Sequence, residues 1–229
     1  MKNKKYIGQV LFWLFTGMII PIFLILASKY YIHIRKVNGH FMGIMGLVGI
    51  SGFILEIFAC SRFDKTKNKI WIFAQILFYF SYWIFMGVVF GTAYLRLCDI
   101  GYIVLYVYVF SIFITFICLI IGLCSKNIKF AKKGNIIWGF IISFLVIILG
   151  TVTKLFNRFV ILALVFVVFL CCYYSVKQFN KLKSVKYFDS KAEQLSNVID
   201  TAMDMGFTFV MLTLTILIIL FPPSDDDDD

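Results

Sequence analysis

Long apolar runs separated by short charged turns are what most constrain this chain. A helix needs roughly 20 mostly apolar residues to cross about 30 Å of hydrocarbon. Seven such stretches follow one another, at residues 7–28, 41–60, 70–92, 101–124, 136–152, 159–176 and 205–221 of the 229. Inside a bilayer no water satisfies a peptide group, so spans of this kind fold as helices. The fold class expected is all-α, a polytopic seven-transmembrane helical bundle forming one integral membrane domain. Composition agrees. Hydrophobic residues make up 62% and charged residues 15%, where an average soluble domain has about 45–50% and about 25%. The first run is too long for a signal peptide, and no small-residue cleavage site follows before Lys29.

Lys and Arg in the short loops set orientation. With the N-terminus inside, sixteen of the 22 fall on the inner side, in the tail (Lys2, Lys4, Lys5) and at 62–69, 126–133 and 177–191. Six fall outside, at Lys29, Arg35, Lys36, Arg96, Lys154 and Arg158. This places the C-terminus outside, although the short last segment leaves a re-entrant path open. The last inner stretch, 177–204, repeats Phe179, Leu182, Val185, Phe188, Ala192, Leu195 and Val198 at three- and four-residue steps, a pattern that predicts an amphipathic inner-loop helix. Its lysines would meet anionic headgroups, or the helix would bind a partner.

The acids are few and unevenly spread. Five of the 12 are the tail, Asp225 to Asp229, read as a solvated terminus. Ionisable groups inside or at the edge of a bilayer are costly and therefore functional candidates. Glu56 lies about one turn inside the inner end of the second span, with Arg62 the nearest cation in sequence. Asp200 and Asp204 are four apart before the last span and share one helix face. Together these four form a candidate gating or ion-binding cluster at the inner mouth of the bundle. The plainer reading of the Asp pair is helix capping. Gly39, Gly43, Gly46, Gly49 and Gly52 line the second span and predict a close helix-packing seam, or a surface along which that helix slides.

Enzymatic and metal signatures are missing. No HExxH, GxSxG or Gly-rich phosphate loop occurs, so no catalytic residue, metal site or cofactor is expected. His33 and His40 read as interface residues. The six cysteines, among them Cys118, Cys171 and Cys172 inside spans, read as small core residues rather than a disulfide framework. The basic balance is explained by topology, so nucleic acid is not an expected partner.

Three local features add to this layout: the basic turn Ser61-Arg62-Phe63-Asp64-Lys65, the Lys-rich loop Lys126 to Lys133, and Tyr174-Ser175-Val176-Lys177-Gln178 at the end of the sixth span. With about the same length, seven spans and a long inner loop before the last, the chain resembles the transmembrane Bax inhibitor motif family. The third feature is similar to that family's Tyr-Asp-x-x-Gln signature, with Ser175 where the family has Asp. The family's last-span Asp has only Asp200 or Asp204 as a counterpart, without the residues that follow it. The resemblance implies a pH-sensitive cation leak, calcium among the ions, gated by acidic side chains with an Arg partner. Two functions are therefore expected to compete. One is a small pH-sensitive cation channel or transporter using Glu56, Arg62, Asp200, Asp204 and Ser175, with calcium or protons as the partner ion. The other is a non-transporting adaptor that binds membrane proteins. The membrane would be the plasma membrane in a prokaryote, or the endoplasmic reticulum or Golgi in a eukaryote.

Overall fold

The computed structural model describes residues 2–28, 39–96, 101–124, 161–184 and 188–220. Among them are six helices and no strand: α1 (Lys2–Ser28), α2 (Gly39–Thr66), α3 (Ile70–Arg96), α4 (Tyr102–Cys124), α5 (Ile161–Lys181) and α6 (Lys191–Leu220), with a 3-10 turn, Leu182–Ser184, after α5. Five of them, α1, α3, α4, α5 and α6, are long and apolar enough to cross a membrane. The chain is thus an all-helical, multi-pass integral membrane protein. Its surface agrees: Phe12, Phe23, Phe73 and Phe169 are each 65–68% exposed, an arrangement suited to lipid rather than water. Helix hydroxyls fold back on their own backbone, as Ser28, Ser81, Thr115, Thr213 and Thr215 each donate to the carbonyl four residues earlier. That leaves them without an unmet polar demand in hydrocarbon. The expected fifth span, His33, Cys98, the loop Lys126 to Lys133 and the acidic tail lie outside the described residues.

The chain divides into two compact units, Met1–Val109 with Leu182–Phe207, and Phe110–Lys181 with Thr208–Asp229. In the first, helix directions follow from which residues meet. A Cβ on Gly17 would strike Trp83 and Tyr79, one on Gly87 would meet Pro21 and Leu24, and one on Gly91 would meet Ser28. The numbers rise together, so α1 and α3 run parallel. Gly49 faces Met86, Gly52 faces Tyr82, and Phe58 stacks edge-on against Trp71. Here one set rises as the other falls, so α2 runs antiparallel to α3. Phe53 stacks on Phe207 at 4.5 Å, and the Glu56 and Cys60 region faces Asp200 and Ser196. By the same test α6 is antiparallel to α2.

Local chemistry sets the turns of this unit. α2 stops at Lys67, whose φ of 52° is left-handed and whose N–H donates to the Phe63 carbonyl at 2.7 Å. Asn68 then accepts from the Ile70 N–H at 3.1 Å to open α3. α6 opens on a capping box. Ser190 Oγ accepts from the Glu193 N–H at 3.1 Å, while Glu193 Oε2 accepts from the Asp189 N–H at 3.2 Å. Lys67 Nζ lies 3.6 Å from Glu193 Oε1, joining the α2–α3 turn to the start of α6. These ends correct one expectation. Residues 177–204 are not a single surface helix, because 177–181 finish α5 and 191–204 are already α6. Phe179, Leu182 and Val198 are buried in protein, so the apolar repeat reports packing within the fold.

Trp83 is the hub of the unit. It is fully buried and occupies the space that side chains at both Gly17 and Gly206 would need. Tyr79 donates to the Trp13 carbonyl, and Tyr108 donates to the Met18 carbonyl at 3.0 Å. Hydroxyl groups from two neighbouring helices thus bond the backbone of α1, which also carries Pro21 inside the helix.

The second unit packs α4, α5 and the end of α6 around Val167, Cys171 and Leu212, with Ile114, Cys172 and Ile216 against them. A Cβ on Gly122 would lie 2.7 Å from the Val176 carbonyl oxygen, and Asn180 Nδ2 donates to the Gly122 carbonyl at 3.0 Å. Ile114 meets the 167–172 region and Gly122 the 176–180 region. α4 and α5 therefore run parallel, with their backbones in contact.

Candidate functional site

Glu56 is fully buried. An acid at this point in an apolar helix costs several kcal/mol unless something compensates it. The antiparallel pairing of α2 and α3 brings Gln75 opposite, and its Nε2 donates to Glu56 Oε1 at 3.3 Å. The other two oxygens of this pair, Glu56 Oε2 and Gln75 Oε1, are buried with no hydrogen-bond partner. One turn after Glu56, Cys60 shares its helix face. The Cys60 thiol donates to Asp200 and also meets Ser196.

α6 supplies the other acids. Asp200 and Asp204 both act on Glu56 as like charges, and Asp64 adds to the field at Asp200. α1 closes the remaining side. The Tyr6 hydroxyl donates to Asn197 Oδ1 at 2.6 Å, lies 3.2 Å from Thr201 Oγ1, and feels the Asp200 charge. Beyond it Gln194 Nε2 donates to Gln9 Oε1 at 2.6 Å. Among the described residues, neither Glu56 nor Asp200 pairs with a Lys or Arg. The site has more acceptors than donors and more negative than positive charge. A proton on Glu56 Oε2 would turn that unmatched acceptor into a donor.

The sequence-expected residues are only partly assembled. Glu56, Asp200 and Asp204 come together. Arg62 does not join them, since it is exposed and its guanidinium lies 5.0 Å over the Phe58 ring. Six positions along a 3.6-residue turn, it leaves the face that Glu56 presents. Ser175 is buried and belongs to the second unit, whereas these acids belong to the first. Gln178, one turn further along α5, is also buried there, with neither end of its amide hydrogen-bonded.

Gly49 and Gly52 do form a packing seam against α3, with the Gly52 position 3.6 Å from the Tyr82 backbone. The side-chain environments of Gly43 and Gly46 lie outside the described residues. The reading from sequence missed Cys60, Gln75 and Tyr6. Cys60 was signalled by its four-residue step from Glu56, and Gln75 by being an amide inside an apolar run. Nothing local marked Tyr6. Among the described residues no group of three or more His, Cys, Asp or Glu is disposed to hold a metal ion. No protein-family model matches this chain, and no curated protein matches it.

Proposed function

We propose that the protein is a small cation channel or transporter whose flux responds to pH, with Glu56, Asp200 and Asp204 as its working acids. The observation that carries this reading is the buried Glu56–Gln75 pair. It has one hydrogen bond, two unmatched oxygens and two further carboxylates acting on it. Burial of that kind is costly for a purely structural residue, and it fits a group that exchanges protons or cations in use. The titratable groups facing it are Cys60 from α2 and Asp200 and Asp204 from α6, with Asp64 and Tyr6 acting by way of Asp200.

The seven-span count and the inner N-terminus belong to the same proposal. The parallel course of α4 and α5 supports the count, because a chain leaving α4 at one face must return to the other before α5 begins, whereas the inner N-terminus rests on the Lys and Arg distribution alone. The continuous 30-residue α6, about 45 Å long at 1.5 Å per residue, supports a last segment that crosses rather than re-enters.

Reconstitution tests the function. Liposomes containing the purified protein should pass protons or calcium at a rate that changes with pH. Glu56→Gln, or Asp200→Asn with Asp204→Asn, should flatten that dependence while the protein remains folded. Flux equal to that of empty liposomes at every pH would rule the proposal out.

A further inference from the structure

The second unit holds four cysteines; Cys124 is exposed at the end of α4, and the other three lie in two different settings. Cys171 is fully buried in the core with Val167 and Leu212, where it acts as a small apolar residue. Cys118 on α4 and Cys172 on α5, at the edge of that core, instead lie side by side across the helix interface, near enough for their thiols to interact. Both are free thiols. The two helix backbones lie close together near this pair. One turn beyond this pair, Gly122 sits so near α5 that an added Cβ would lie 2.7 Å from the Val176 carbonyl oxygen. A disulfide needs Cα atoms roughly 4.4–6.8 Å apart, which two helices reach only when their backbones nearly touch. Gly122, one turn along, draws α4 and α5 together in this part of their interface. The two thiols also differ in access. Cys118 is 5% exposed, whereas Cys172 is half-buried.

We propose that Cys118 and Cys172 are a redox-active dithiol that consumes a peroxide and closes to a disulfide linking α4 to α5. Cys172, the more accessible sulfur, attacks the peroxide oxygen. The O–O bond breaks, the thiol proton passes to the departing oxygen, and water or an alcohol leaves. Cys172 is then a sulfenic acid. The Cys118 sulfur attacks it, the S–O bond breaks, and the released hydroxide takes the Cys118 proton as water. The two thiols lose two electrons and two protons in total, and the peroxide is reduced by the same amount. Hydrogen peroxide and lipid hydroperoxides share this chemistry. Cys171 sits on the same helix but faces the core, so it takes no part.

The full-length protein in lipid nanodiscs is treated with hydrogen peroxide or with cumene hydroperoxide and digested without reductant. The expected product is one cross-linked peptide joining Cys118 and Cys172, two hydrogen atoms lighter than the separate peptides and released by dithiothreitol. Cys118→Ser should lose the cross-link and leave a sulfenic acid on Cys172 that dimedone traps. Cys171→Ser should cross-link as the wild type does. Faster closure with cumene hydroperoxide identifies the lipid phase as the source of oxidant, and faster closure with hydrogen peroxide identifies water. Where a serine variant is not monodisperse, the alanine variant replaces it. Absence of the cross-link with both peroxides, or its persistence in Cys118→Ser, would overturn the proposal.

Discussion

At Gly17 the cost of a single methyl group can be stated. A Cβ there enters the volume of the Trp83 indole, and over-packing a close-packed site costs about 1–3 kcal/mol. Gly17→Ala should lower the thermal midpoint accordingly. Gly8, on the same helix with nothing within 4 Å of its would-be Cβ, should accept alanine with no loss and with a gain of up to about 1 kcal/mol. Gln75 permits a second test. Gln75→Leu removes the one hydrogen bond to buried Glu56 and should destabilise by about 1–3 kcal/mol, while the pair Glu56→Leu with Gln75→Leu recovers most of it, because removing both polar partners is nearly neutral. A double-mutant cycle by thermal unfolding in detergent measures both. Glu56, Asp200 and Asp204 are legible in the sequence because acids are so rare within or beside apolar runs. Arg62 misled because nearness in sequence is not nearness on a helix, and the aromatic face of Phe58 was the closer partner. Gln75 and Tyr6 depend on how other helices align with α2 and α6, which no single segment encodes.

Among the elements, α6 shows both the strength and the limit of reading periodicity. Three- and four-residue spacing identified 191–204 as helical, yet it could not say whether protein or membrane covers the apolar side. The start was written locally in Ser190-Lys191-Ala192-Glu193, and the observed bonds follow that box. Ser190→Ala should cost about 1 kcal/mol, and Ser190→Asp should retain most of the cap. Hydrogen exchange at residues 191–194 is the direct measurement, with faster exchange expected only in the alanine variant. The bridge from Lys67 to Glu193 is solvent-screened, so Lys67→Ala should change stability by less than about 1 kcal/mol.

For the molecule as a whole, the spans were the most legible feature, since hydrocarbon thickness imposes a length that sequence must meet. Alternating loop charge also implied how successive helices run, and contacts between residues far apart in the chain give their mutual directions within each unit. Tyr6 meets Asn197, and Lys67 meets Glu193. The start of α1, the α2–α3 turn and the start of α6 therefore share one end of the first unit. In sealed vesicles of uniform orientation, an impermeant amine reagent should modify Lys4, Lys67 and Lys191 together or spare them together. Modification of one without the others would contradict this arrangement.

The position of Trp83 between Gly17 and Gly206 also bears on biogenesis. α1 leaves the ribosome first, with a bare groove at Gly17 and a proline-weakened ladder at Pro21, and must wait for α3 to bring Tyr79 and Trp83. Even then the indole is covered on one side only. Its second wall is α6, which also carries Asp200 and Asp204, and that helix is made after all the others described. Until that late helix is in place, the core at Trp83 lacks one wall and the acidic site lacks two of its acids, so the same helix completes both.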